Sequence, residues 1–215
     1  MGSDGGPTDP LYPYHSNYDS YHWMSTYGDP GFHHHEAMGQ YLSLLAYNLA
    51  TAELLPFNLP NYADQMDLYF DELSEVISSS SGNLSVSDLR DAIDTFRIQA
   101  NEVVQLSEQA VSSNDTELMR VVNHKFRDFQ RGFTSQGGLV NREFYQHTIF
   151  APGIDTGEYS MFGLDIEHVL TILGYAPVTF PGITEAVEAG NFTLAEEWVK
   201  KTAAAIRVAG NIIKT

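Results

Sequence analysis

Apolar residues recur at threes and fours along most of this chain, the spacing of one face of an α-helix. Asp29-Pro30 reads as a helix start, a capping Asp followed by a proline suited to the first turn. From there Met38, Leu42, Leu45, Leu49 and Ala52 keep the helical spacing, and Pro56 stops it. A second helix is predicted over roughly 60–78, with Pro60 in its first turn and Met66, Tyr69, Phe70, Leu73 and Ile77 on its apolar face. The serine run and Gly82 break it. Ser87 is the expected cap of a third helix, along which Leu89, Ile93, Phe96, Ala100, Val103 and Leu106 recur. Asn114 and Glu117 have capping-box spacing. They predict a fourth helix through Phe133 with Leu118, Val121, Val122, Phe126, Phe129 and Phe133 turned inward. A Thr193/Glu196 capping box opens the last helix, which should turn Leu194, Trp198, Thr202, Ala205 and Val208/Ala209 inward.

Shorter helices are predicted from Tyr18 to Tyr27, in "LDIEHVLTILG" up to Gly174, and in "TFPGITEAVEAG" up to Gly190. Between the fourth helix and Leu164 lies an irregular segment. It is longer than the ~12–15 residues that ordinarily stay structureless without a functional reason. No segment alternates as a strand would, and no internal repeat is visible. The expected fold class is all-α, a helical bundle of about five long helices plus short ones.

Composition narrows the picture. A length of 215 residues suits one large or two small domains, and 43% hydrophobic residues are enough for a core. The net charge of −17 would repel phosphate backbones and anionic lipid, so no nucleic-acid partner is expected. The absence of cysteine excludes disulfide scaffolds and thiol catalysis. No apolar run is long enough to span a membrane, so this segment should make no membrane contact. The opening "MGSDGG" lacks the charged and apolar regions of a signal peptide, and the natural chain is expected to begin further upstream. Three N-x-[ST] triplets, at Asn83, Asn114 and Asn191, are glycosylation candidates that lean towards a secretory or lumenal location.

Candidate chemistry gathers first in "YPYHSNYDSYHWM", where His15 could be a metal ligand, a substrate contact or a surface residue. A catalytic zinc needs about three converging protein ligands, and neither H-E-x-x-H nor H-x-D occurs in the chain. His33, His34, His35 and Glu36 sit at a helix start. Consecutive positions there point about 100° apart, so one or two at most could share an ion. Glu196-Glu197 falls in the first turn of the last helix, where capping and the helix dipole account for it. There is no G-x-S-x-G, Walker A loop or G-x-G-x-x-G; "SSSSG" is a linker, and "GDPG" and "QGGL" are turns. His124, His147 and His168 are single histidines, expected to be hydrogen-bonded structural residues.

The residues do carry a resemblance. "YHSNYDSYHWM…GDPGFHHHEAMGQYLSLLAYNLATAELLPFNLPNYADQM" resembles the C-terminal part of glutamate carboxypeptidase II and its relatives, a family that includes the transferrin receptor. A Tyr-His-Ser is followed by Tyr-[DE]-[ST] and an aromatic-rich helix. A "DP-x-F" start, a helix ending in "LPF" and a "YA" in the next helix come after. "GGLVNREFYQHTIFAPG" is similar to the family's "G-L-x-x-R-x-F-Y-R-H-x-x-Y-A-P", and "AEEWVKKTAAAIRVAGNII" to its closing helix. The resemblance covers nearly the whole chain, from Pro10 to Ile213.

The resemblance implies residues 1–16 as the chain's start and the C-terminal end of a peptidase domain, and 17–215 as a transferrin receptor-like dimerisation domain. It implies a parent that is a type II membrane protein. The parent's ectodomain, on the extracytoplasmic or vacuolar/lumenal side, would join zinc-peptidase, protease-associated and dimerisation domains. By the same match His15 would be a zinc ligand in the full-length parent and Tyr14 would line its substrate pocket. Tyr159 would match one half of the family's Lys-Tyr carboxylate-binding pair. Here "GIDTGEYSMF" has no Lys, and Gln146-His147 stands where the family has Arg-His; both departures bear on a glutamate-specific pocket. The other zinc ligands, the bridging aspartate and the catalytic glutamate lie upstream in the family. The isolated chain is therefore expected to hold no cofactor and catalyse nothing, and to pair with a second copy as a two-fold homodimer. The alternative is a fragment of an active zinc-dependent carboxypeptidase or aminopeptidase that supplies one zinc ligand and part of the pocket.

Overall fold

The computed structural model describes Pro13 and residues 16–153 and 177–215. Two compact units divide the chain, Met1–Glu53 and Leu54–Thr215.

In the first unit a single helical turn, α1 (Tyr21–Trp23), runs into a π-helical turn at Met24–Gly28. Helix α2 follows at His33–Thr51. Its start differs from the expected one. Phe32 occupies the cap position at φ 59° and gives no side-chain bond. Asp29 reaches in from outside the helix and accepts the backbone N–H groups of His34 (3.2 Å) and His35 (2.9 Å). The apolar spacing along α2 is real, yet none of its residues is buried.

The second unit is the bundle. Helix α3 (Leu59–Ser79) is capped by Asn58, whose side chain accepts the Asn61 N–H at 3.1 Å, with Pro60 in the first turn as expected. Its stripe of Leu59, Ala63, Met66 and Leu73 is buried against α4 (Ser87–Ser112). Arg90 binds Asp67, and Arg97 binds Asp64 and Asp67, lacing the two helices along their rim. Ser87 lies inside α4; Val86 takes the cap position without a side-chain bond.

Helix α5 (Thr116–Asp128) is capped by Asp115, whose carboxylate accepts the Leu118 N–H at 3.0 Å. Asn114, the expected cap, instead turns the chain at φ 52°. Val122, Phe126, Phe129 and Phe133 go inside as expected, while Met119 is buried in addition and Val121 is exposed. A 3-10 turn, Phe129–Phe133, carries the chain into the core, where the Phe96, Phe129 and Phe133 rings meet.

Two short strands follow that the sequence pattern did not predict, one inside the irregular segment and one beyond it. Strand β1 (Phe150–Pro152) pairs antiparallel with β2 (Pro177–Thr179), Ala151 opposite Val178. Three residues per strand are too few to display an alternating pattern. Helix α6 (Pro181–Glu188) follows β2 directly, and α7 (Phe192–Ile213) closes the chain. Asn191, not Thr193, caps α7, accepting the Leu194 N–H at 3.1 Å. Trp198, Thr202, Ala205 and Ala209 go inward as expected; Leu194 is only half-buried, with Ala195 buried beside it, and Val208 faces out. Glycines permit close approaches to α7. A Cβ on Gly132 would strike the backbone of Ala209, and one on Gly182 the ring of Trp198. At its end, Lys125 Nζ donates to the Lys214 carbonyl at 2.6 Å, satisfying a terminal acceptor of the kind helix ends leave open.

Candidate functional site

The described surface with the most chemistry lies where the irregular segment folds back on the bundle. Thr148 anchors it there, its N–H and hydroxyl both donating to the Phe133 carbonyl at 2.8 Å. Its neighbour His147 is half-buried, its ring 4.3 Å from that of Phe150 and 5.8 Å from that of Phe133. His147 Nδ1 faces two backbone donors, Ile149 N–H at 3.3 Å and Phe150 N–H at 3.4 Å. Burial pushes the imidazole pKa below its ordinary value; a Phe150 backbone interaction opposes that shift, whereas the Phe150 N–H aimed at Nδ1 favours the neutral ring.

Two cavities flank this ring. One, about 350 Å³, is lined by Phe144, Tyr145, Phe150, Pro152 and Pro177; the other, about 230 Å³, reaches Tyr62, Met66 and Tyr69 of α3. Both are aromatic and carry no carboxylate in their lining. Beside them Arg142 binds the Pro152 carbonyl and the Glu185 carboxylate, tying β1 to α6. Burial raises the Glu185 pKa, and the Arg142 hydrogen bond and charge counter it. The expectation of a structural, hydrogen-bonded His147 agrees with this geometry. The Arg142–Glu185 pair had no sequence signal, because its partners are 43 residues apart.

The candidate site residues are placed as follows. Tyr14, His15 and Tyr159, like His168, lie outside the described residues. Asn83, Asn114 and Asn191 are all exposed, each in a connection between helices. Asn191 uses its Oδ1 in the α7 cap, which leaves the amide nitrogen, the atom a glycan would take, outside that bond. Of the histidine run, His35 pairs through Nδ1 with Asp29 at 2.6 Å. Burial alone would raise the pKa of Asp29. The hydrogen bonds from the His35 side chain and from the His35 and His34 backbones instead hold it well below the usual carboxylate range. Among the described residues no grouping of three or more His, Asp or Glu side chains could hold a metal ion. The described residues thus do not fit a zinc site by themselves.

The described residues form a helical bundle with two aromatic cavities beside its irregular segment. The transferrin receptor-like dimerisation domain model matches residues 84–214, and the chain belongs to that family. A probable glutamate carboxypeptidase of Arthroderma benhamiae is 49% identical over 100% of this chain and 27% of its own length. A probable glutamate carboxypeptidase of Arabidopsis thaliana is 32% identical over 82% of this chain and 23% of its own. An inactive zinc metalloprotease of Schizosaccharomyces pombe is 22% identical over 91% of this chain and 23% of its own. The chain spans about a quarter of the length of these curated relatives.

Proposed function

We propose that this chain is the helical, non-catalytic C-terminal part of a membrane-anchored zinc peptidase of the glutamate carboxypeptidase kind, and that its work is to hold two copies together. The observation that carries this is the match of the dimerisation-domain model across a bundle that buries its own apolar stripes. The assembly is a two-fold homodimer, the commonest closed arrangement. Residues 1–16 end the peptidase domain and 17–215 form the helical domain. The upstream peptidase and protease-associated domains are its other partners. Helix α2 supports that part of the reading: Met38, Leu42, Leu45 and Leu49 keep the spacing of a face made to be covered, yet none of its residues is buried.

In the parent, zinc would take His15 as one ligand, with Tyr14 and Tyr159 at the substrate pocket; the isolated chain holds no cofactor. The ectodomain lies on the extracytoplasmic or vacuolar/lumenal side, with Asn83, Asn114 and Asn191 open to glycosylation. No helix of the described residues is long and apolar enough to cross a membrane, so an anchor must come from elsewhere in the parent.

Sedimentation equilibrium of the 215-residue chain is the test. A concentration-dependent dimer is expected, and monomer alone at high concentration overturns autonomous dimerisation. With zinc added, the purified chain should cleave acidic dipeptides no faster than its His15→Ala variant.

The second reading, a fragment of an active zinc-dependent carboxypeptidase or aminopeptidase, draws on relatives named as probable glutamate carboxypeptidases. A relative named as an inactive zinc metalloprotease instead favours the first reading. In the full-length protein, hydrolysis that His15→Ala abolishes would establish this second reading.

A further inference from the structure

His147 stands where three observations meet: a backbone turn that leans on its ring, two cavities on either side, and surroundings without a counter-charge. Phe180 N–H donates to the Ile149 carbonyl at 2.7 Å, so Phe150 and Thr179 form a non-hydrogen-bonded pair of the antiparallel ladder. The Phe150 N–H therefore points away from β2, towards His147 Nδ1 at 3.4 Å, while Ile149 N–H approaches the same atom at 3.3 Å. An atom facing two donors must be an acceptor, which fixes the neutral tautomer with its proton on Nε2.

We propose that His147 is an acid-sensitive latch on the start of β1: as neutral imidazole it accepts the Ile149 and Phe150 N–H groups, and on protonation it releases them. Once protonated, Nδ1 becomes a donor pointed at two donors. Both backbone groups then lose their partner, and a cation is left among aromatic rings.

No neighbouring element supplies compensation among the described residues. The titratable groups lining the cavities beside the ring are Tyr62 and Tyr69 of α3 and Tyr145 of its own segment. Burial raises the Tyr62 pKa further, so it stays neutral. Past Phe133, Arg131 pairs with Asp128. Arg142 packs over the Tyr145 ring but is held by Glu185, and Glu72 of α3 contacts Thr179 of β2.

The sign follows from proton uptake. A native imidazole that titrates below its unfolded value of about 6.5 binds fewer protons than the unfolded chain does. The turn is then fully held above about pH 6.5 and loses its hold as pH falls towards the depressed native value. Opening there joins the two cavities that His147 and Phe150 separate.

The test is amide hydrogen exchange of the 215-residue chain between about pH 7.5 and 5, corrected for the intrinsic rate, with NMR titration of the imidazole. Exchange at Ile149 and Phe150 should rise at least about tenfold across that range, tracking the ring titration, while Ile206 in the α7 core stays unchanged. His147→Asn offers an oxygen acceptor in an Asx-turn that does not titrate, and it should keep both amides protected at every pH. Three results would overturn the latch. One is a ring that titrates at or above the ordinary histidine value. Another is ring protonation without faster exchange at the two amides. The third is a pH dependence that survives in His147→Asn. The first two need only the unsubstituted chain.

Discussion

Helices α2 and α7 are nearly the same length, 19 and 22 residues, and both are rich in apolar side chains, yet α7 buries ten residues and α2 none. The difference lies in how the apolar residues are arranged. In α7, Ala195, Trp198, Thr202, Ala205, Ala209 and Ile213 step by three and four, so they stack into one stripe that a single core covers. In α2, Leu42 and Leu44 stand about 200° apart on the helix, on opposite faces. Tyr41, Leu45, Tyr47 and Leu49 spread over the surface between, and all are exposed. One partner can cover a stripe; in α2, Leu44 and Tyr47 lie off the Met38–Leu42–Leu45–Leu49 stripe and need a second. The bundle is thus self-sufficient in a way that α2 is not.

The sharpest way to break this comparison is at Trp198. Its side chain is 2% exposed and lies against Gly182 of α6. Trp198→Ala should cost about 3–5 kcal/mol through lost burial and the cavity left behind. That is a large share of the ~5–15 kcal/mol typical of a whole domain. The measurement is the urea midpoint of the bundle transition. A loss under about 1 kcal/mol would mean that α7 does not organise the core as its buried stripe implies.

That stripe is also where the sequence was most informative. Spacing alone placed Trp198, Phe96, Met66 and Leu73 inside, because burial on one helical face leaves a period that no other arrangement produces. The caps were read one or two residues off. Asp115 and Asn191 do the work assigned to Asn114 and Thr193, since Asn, Asp, Ser and Thr compete for the same role and only the local backbone decides. Strands β1 and β2 left no pattern, being three residues each and far apart in sequence. The candidate site was the least legible. His15, Tyr14 and Tyr159 came from resemblance, whereas the Arg142–Glu185 tie and the His147 turn arise from tertiary contacts between segments with no shared motif.

A smaller effect separates the start of α2 from its body. Asp29 accepts two backbone N–H groups and the His35 ring, so the first turn of α2 is held although its sides are not. Asp29→Ala should cost about 1 kcal/mol of local helix stability, read as faster amide exchange at His34 and His35 with the bundle's urea midpoint unchanged. Because the native carboxyl titrates well below its ordinary value, the cap contributes fully above about pH 4 and is lost only as pH falls further. Circular dichroism of the two proteins should therefore differ by a constant amount from neutrality down to about pH 4 and converge below it. A difference that already closes by about pH 6 would show that the Asp29 carboxylate is not what holds the first turn.

The smallest effect is the most discriminating. Leu44 is 62% exposed at the middle of α2. Leu44→Ser should change the stability of this chain by less than about 0.5 kcal/mol, the range of surface substitutions away from special contacts. It should also reduce binding of an apolar dye, because part of an uncovered hydrophobic surface is gone. In the full-length parent the same substitution should cost several times more, since there the leucine would lose burial worth about 1.5–3 kcal/mol. Equal and small losses in both would leave α2 a solvent-exposed helix. A large loss in the 215-residue chain alone would mean that this chain covers α2 by itself, as in a self-associated form. The contrast between α2 and α7 would then come from assembly and not from the arrangement of their apolar residues.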